Sequence, residues 1–296
     1  MRRTTPTLDA VLLAVAVLAV STSGPLVREA AAPTLAIAFW RTTLASAVIL
    51  PVAALRNRDE LRGLTRNELR TAAIAGVFLT LHFGCWIPSL SFTSVASSVA
   101  LTCTQPVWAA VMARVRGEHI ARGAWFGIGV ALLGALLLTG IDFTVSSRAL
   151  FGDGLALAGG IFGAAYVTVG ADARRAMSTT AYTSVCYPLA GVALLAVCLA
   201  TRQNLGHYSA HTWWIILAIT IGPQLLGHSL VNRVLRTISA TTVSVAILFE
   251  IVGATLVAWW WFSETPPNGA YPAAVLIAIG VVLVVRAGNT AAPPVE

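Results

Sequence analysis

The residues able to do chemistry in this chain are few, and the most informative come in pairs, one in each half. Gln105 and Glu250 each stand in the middle of an apolar run, Glu118 and Glu264 each follow the end of that run, and Asp9 and Asp153 each stand just before the first apolar run of a half. Polar and ionisable groups inside a membrane span are costly to keep, so each is a functional candidate. Glu250 is the sharpest. It lies about eleven residues into a helix expected at 239–262, roughly 16 Å from its start at a rise of 1.5 Å per residue. That depth is near the midplane, where a carboxylate costs on the order of 2.5–3.5 kcal/mol unless a partner or water offsets it. Glu250 reads either as a carrier of coupling protons or as a brace that locks the two halves together.

Further polar groups fall at helical spacing. Ser94, Ser98, Thr102 and Gln105 share one face of a helix, and Trp108 continues it. Gln224, His228 and Asn232 repeat the pattern, and His82 and Trp86 stand four apart. Such stripes line a wet cavity or bond helix to helix, and three in one chain favour the cavity. Arg41, next to Trp40, is able to pair with Glu250, to grip a substrate carboxylate as a bidentate fork, or to snorkel to the surface. Gly159, Gly163, Tyr166 and Gly170 share a face; this spacing means close helix packing first, with Tyr166 a candidate cavity residue. Pro25, Pro106, Pro188 and Pro223 fall inside expected spans, where each removes a backbone hydrogen bond and tends to kink its helix.

The elements that must position these groups are membrane helices. With 57% hydrophobic residues, 10% charged and a mean hydropathy of +0.80, the chain holds more apolar surface than a water-soluble core can absorb. Ten spans are expected, at about 8–27, 33–55, 69–89, 93–114, 121–140, 153–171, 179–200, 212–232, 239–262 and 269–287. The net charge of +7 is carried by arginine alone, and its distribution speaks against a nucleic-acid partner. If the N-terminus is inside, fifteen arginines fall on the inner side and three, Arg28, Arg148 and Arg202, on the outer. That bias sets both termini in the cytoplasm. Five spans per half place the halves in opposite orientations, residues 1–140 and 153–296, with 141–152 as the outer connection. Inverted repeats of this kind support alternating access. A cleaved leader at the start is disfavoured, because Asp9 precedes the first run and the counterpart at 153–171 cannot be one. Cys85, Cys103, Cys186 and Cys198 all fall in spans with no CxxC, and read as small apolar fillers, neither disulfides nor metal ligands. No Gly-rich phosphate loop or other cofactor motif is present.

The chain resembles the drug/metabolite transporter superfamily, specifically its ten-helix EamA-type members, over nearly its whole length. SGPLVREAAAPTLAIAFWR, with Trp40 and Arg41, is similar to the family's opening pattern. TSVASSVALTCTQPVWAAVMARVRGE, with Pro106 and Glu118, is similar to its fourth helix, and FEIVGATLVAWWWFSE, with Glu250, to its ninth. Two departures stand out. Ile251 replaces the usual second proline, which predicts a straighter ninth helix, and the Pro106–Glu118 gap is one residue short, which shifts the height of Glu118. The resemblance implies export of amino acids, other metabolites or toxic small molecules from a bacterial inner membrane, often linked to protons, without naming the substrate.

The expectation is therefore a secondary transporter whose partners are a small solute, the bilayer and protons, as a monomer or a homodimer. Its substrate would sit among Trp40, Arg41, His82, Trp86, Gln105, Trp108, Tyr166, Gln224 and His228, with Glu250 coupling the ion. Efflux of drugs and uptake of metabolites are open on the same fold. A scaffold without transport is a weaker reading. An intramembrane hydrolase built on Ser229 with His228 and His82 is weaker again: the sequence has no HExxH or GxSG, and the duplication has no purpose there.

Overall fold

The computed structural model describes residues 6–93, 98, 101–139, 146–263 and 270–290. Ser94 and Glu264 lie outside them. The described residues form helices and no strands. The first expected span is two helices, α1 (Pro6–Ser21) and α2 (Ser23–Glu29), parted at Thr22. Then come α3 (Thr34–Arg56), a short α4 (Arg58–Gly63) and α5 (Arg66–Ser89). They are followed by α6 (Gln105–Val115), α7 (Arg122–Thr139), α8 (Ser147–Ala176) and α9 (Thr179–Ala200). The eighth expected span is α10 (Ala210–Ile219), a π-helical α11 (Thr220–His228) and α12 (Ser229–Val234). The last are α13 (Ala240–Ile247), α14 (Phe249–Phe262) and α15 (Ala270–Thr290).

Seven helical stretches among the described residues are long and apolar enough to cross a membrane: Thr7–Glu29, Thr34–Arg56, Arg66–Ser89, Ser147–Ala176, Thr179–Ala200, Ala210–Val234 and Ala240–Trp261. Two shorter apolar helices, Arg122–Leu137 and Tyr271–Ala287, fall where the fifth and tenth spans are expected. The fourth, 93–114, lies partly outside the described residues. Leu55, Val115, Trp260 and Tyr271 are exposed around the periphery, as side chains that meet lipid rather than water must be.

Helix pairings recur between the halves. α5 packs on α8, and the pair equivalent by the repeat, α11 on α1, does the same, each joining the two halves. α6 packs on α8, and α14 on α1. α7 packs on α15, and α3 on α9, each pair joining equivalent helices of the two halves. Small residues allow the closest crossings. A Cβ added at Gly127 would lie 2.9 Å from the Gly280 carbonyl, so α7 and α15 meet backbone to backbone. Along α8, a Cβ at Gly159 would lie 2.9 Å from Trp86 Cβ, which makes this glycine face a packing surface against α5.

Within the stretch 141–152, α8 starts at Ser147, where Ser146 caps it by accepting the Ala149 N–H at 3.1 Å. One expectation needs correction. The ninth span is not straight. It breaks at Leu248, where the Leu248 N–H donates to Val245 O (3.1 Å) and the Ile251 N–H to Leu248 O (3.2 Å). The fourth breaks with the same hydrogen-bond pattern, one residue nearer Gln105 than the ninth break is to Glu250, with Thr104 N–H to Leu101 O (3.2 Å) and Val107 N–H to Thr104 O (3.0 Å). Pro106 lacks a donor in one break, whereas Ile251 keeps its N–H and uses it in the tightened turn of the other. The break therefore does not depend on proline.

Candidate functional site

The interruptions converge on one cavity of about 110 Å³. Ser23 and Gly24 reach it from the break between α1 and α2, Thr102, Cys103 and Gln105 from the break before α6, and Ser244, Leu248 and Glu250 from the break between α13 and α14. His228 comes from the end of π-helical α11, and continuous helices supply the rest: His82 and Trp86 from α5, Gly163 and Tyr166 from α8. Breaks free backbone groups and turn side chains inward, which is tolerated at membrane depth where the chain lines a cavity.

The polar groups of the wall are held in defined orientations. His82 stacks on Trp86, with ring centroids 5.9 Å apart and planes 7° from parallel. Its Nδ1 lies 2.8 Å from the Gly159 carbonyl, which can only accept, so Nδ1 carries a proton and donates it. His228 meets Phe83 edge to face at 5.3 Å and Tyr166 at 6.2 Å. Tyr166 Oη donates to Asn232 Oδ1 (3.0 Å) and accepts from Asn232 Nδ2 (2.7 Å). Gln105 Nε2 donates to Ser244 Oγ at 3.4 Å, joining the two equivalent breaks across the cavity. A Cβ at Gly163 would lie 2.9 Å from His82 Nδ1 and 3.0 Å from Gln105 Oε1, so the lack of a side chain keeps this corner open. Glu250 makes no hydrogen bond or ion pair among the described residues and faces the cavity.

Of the residues singled out in the sequence, His82, Trp86, Gln105, Tyr166, His228 and Glu250 share this wall; Trp40, Arg41, Trp108 and Gln224 do not. Arg41 is fully buried one layer behind it. Its Nε donates to Gln224 Oε1 (3.0 Å), its Nη1 to Ser23 Oγ (3.2 Å), and its guanidinium lies 4.3 Å over the Phe83 ring. It forms no ion pair with Glu250 and does not snorkel. Trp40 donates its Nε1 to Leu205 O (2.9 Å) and meets Trp213 edge to face at 5.0 Å, which anchors it in the loop before α10. Trp108 donates Nε1 to Thr104 Oγ1 (3.1 Å) and closes the break of its own span. Ser98 bonds Ser89 at 2.6 Å, helix to helix. Ser23, Ser244 and Cys103 belong to the wall and were not singled out. The run Ser21-Thr22-Ser23-Gly24-Pro25, a cluster of turn formers inside an apolar stretch, is the signal that marks Ser23.

Ser229 Oγ lies 3.4 Å from Tyr187 Oη, while His82 and His228 are engaged elsewhere, so no nucleophile–base pair forms there among the described residues. What the arrangement offers is binding: an apolar, aromatic chamber with a few fixed polar groups and one carboxyl group.

A multi-pass helical bundle with discontinuous helices around a chamber walled by both halves has the architecture of a membrane transporter. The chain belongs to the EamA-like transporter family, whose pattern matches it twice, at residues 8–140 and 150–286. Members of this family are transporters rather than enzymes. Among matching solved structures is a crystal structure of a protein 19% identical, covering 97% of this chain and 100% of its own, with a TM-score of 0.79. That likeness shows the fold alone. No curated protein matches the chain.

Proposed function

We propose that this protein is a secondary transporter of the bacterial inner membrane that exports amino acids or related small metabolites by alternating access, with Glu250 carrying the coupling proton. In this reading the chain crosses the membrane ten times as two inverted five-helix repeats, with both termini in the cytoplasm. The observation that carries it is Glu250, without a hydrogen-bond or ion-pair partner among the described residues and facing a chamber drawn from both halves. A carboxyl group in that place can exchange a proton with the chamber without first breaking an ion pair. Drug-sized ligands fill sites of about 300–1,000 Å³; a chamber of about 110 Å³ favours a small metabolite over drug efflux. His82, Trp86, Gln105, Tyr166 and His228 are the proposed contacts, and Arg41 and Gln224 support the wall from behind.

The test is flux into proteoliposomes across a panel of labelled amino acids, sugars and cationic drugs, with and without an imposed pH gradient. Gradient-dependent accumulation of an amino-acid-like class is expected. Glu250→Gln is expected to abolish that accumulation while solute exchange stays near the wild-type rate. Equal loss of both activities would instead make Glu250 a structural brace.

A further inference from the structure

At the arginine-rich end of the bundle, away from the central chamber, two hollows meet. One is polar, about 180 Å³, and is walled by Arg116, Arg175, Arg236, Glu118, Asp172 and Thr168. The other is an apolar groove of about 980 Å³ that runs into the membrane-spanning region beside α1, α13, α14 and α15, among Leu13, Val17, Phe249, Leu256 and Val281. Thr237, Ile238 and Ser239 line both, so head and groove adjoin at this turn. α1 and α6 come from one repeat and α8, α13, α14 and α15 from the other, so the site bridges the two.

The polar hollow presents both signs of charge. Asp172 pairs with Arg116 Nη2 at 2.5 Å and approaches Arg175 Nη1 at 3.8 Å. Beside them α13 begins. Ser239 caps it by accepting the Thr242 N–H at 3.2 Å, and Ala240 and Thr241 of its first turn line the hollow, where a negative group is favoured. Thr168 is 7% exposed and its Oγ1 has no hydrogen-bond partner among the described residues. A helical threonine commonly bonds a carbonyl one turn back; this hydroxyl is left for something in the hollow. A lone anion would meet Asp172 and Glu118, and a lone cation would meet the arginines. A head group with both a phosphate and a primary ammonium satisfies both sets. The groove lies at bilayer depth, where an acyl chain is what covers it.

We propose that this composite hollow is a phospholipid site that selects phosphatidylethanolamine. The phosphate lies toward the α13 N-terminus and the arginines, the ammonium toward Asp172 and Glu118, and one acyl chain fills the groove. The inference needs only the membrane placement of the chain and stands apart from the transport reading.

The experiment is thermal unfolding of the full chain reconstituted in phosphatidylcholine vesicles, undoped or doped to the same fraction with phosphatidylethanolamine or phosphatidylglycerol. An upshift of about 5 °C with phosphatidylethanolamine alone is expected, the size a ligand at many times its Kd produces in a chain this long. Arg175→Gln with Arg236→Gln should remove the shift at the head, and Ala14→Trp, from an exposed groove position, should remove it at the tail. Both variants should melt with the wild type in lipid-free detergent, which separates a lost site from a lost fold; if one fails to fold, the other carries the test. Several outcomes overturn the proposal. An equal or larger shift with phosphatidylglycerol means an anion site, and a shift with inorganic phosphate in detergent means a phosphate site. Equal melting in all three vesicles means that the groove takes lipid without selection.

Discussion

At the scale of single residues, Arg41 shows how burial changes a residue's part. Nothing in its sequence context separates a substrate fork from a structural cation, and its surroundings do. Two neutral oxygens and an aromatic face surround the guanidinium, and no carboxylate is within ion-pair distance among the described residues. Arg41→Lys replaces the planar fork with a point donor that cannot reach Gln224 and Ser23 together. Losing one hydrogen bond to a charged group leaves a buried acceptor unmatched, at about 2 kcal/mol. A lower melting temperature in detergent, with solute selectivity unchanged, is expected; an unchanged melt would show that the fork contributes nothing. The sequence placed His82, Trp86, Gln105, Tyr166 and His228 mid-span, and they meet at one wall. It also placed Gln224 and Asn232 on the face of His228, and there the reading fails for a geometric reason. The face rule assumes 3.6 residues per turn, whereas residues 220–228 are π-helical with wider i→i+5 turns. Gln224 and His228, four apart within that stretch, then point in different directions: Gln224 turns to Arg41 and His228 lines the chamber. Asn232 follows in α-helical α12 and bonds Tyr166 of the wall.

At the scale of elements, the breaks are what turn a bundle of apolar helices into a container. Pro106 announced one of them, while the break at Leu248 carries no proline and was not legible. It follows from turn hydrogen bonding that matches its counterpart in the other half. The short helix α4 was likewise unannounced, hidden in a stretch read as linker. Its Glu60 ties that linker to the start of α9 in the other half. Oε1 accepts the Ser178 N–H at 2.5 Å, and Oε2 accepts Asn57 Nδ2 at 2.9 Å. Burial alone would raise the Glu60 pKa, but the hydrogen bonds from Ser178 and Asn57, with the field of Arg174, outweigh it and hold the carboxyl below its usual value. A depressed carboxyl pKa adds stability that is present above the unfolded value, about 4.3, and is lost as pH falls through the lower folded value. Glu60→Gln should therefore lower the melting temperature slightly at pH 7, and the gap to wild type should close on acidification through pH 4. The effect is small because the group is largely solvated. A gap that persists at acid pH would assign the loss to packing instead of charge.

At the scale of the molecule, the two repeats are tied at both ends of the chamber, and the ties differ in kind. Away from the arginines, Trp40 to Leu205 O (2.9 Å), Thr93 to Asp153 (2.6 Å), Arg148 to Ser91 O (2.9 Å) and His211 to Glu29 (3.1 Å) all cross from one repeat to the other. At the arginine-rich end, Arg116 meets Asp172 at 2.5 Å, Glu60 accepts the Ser178 N–H, and Asn57 Nδ2 donates to Ser178 Oγ at 3.3 Å. None of these pairs could be read from the sequence, since each joins positions brought together only by the packing of the halves. The family's duplication made the fold legible, but not which contacts tie its two ends. Cys103, in the chamber wall, offers a reporter already in place. With Cys85, Cys186 and Cys198 replaced by alanine, its labelling by an impermeant thiol reagent reads access from each side. Asp172→Asn removes the exposed pairs with Arg116 and Arg175, each worth at most about 1 kcal/mol, so labelling from the arginine-rich side should rise by about two- to fivefold. Glu29→Gln loses the pair with His211 and should raise labelling from the other side instead. Labelling unchanged in both variants would mean that the ion pairs do not set which side opens, and that packing between the broken helices does.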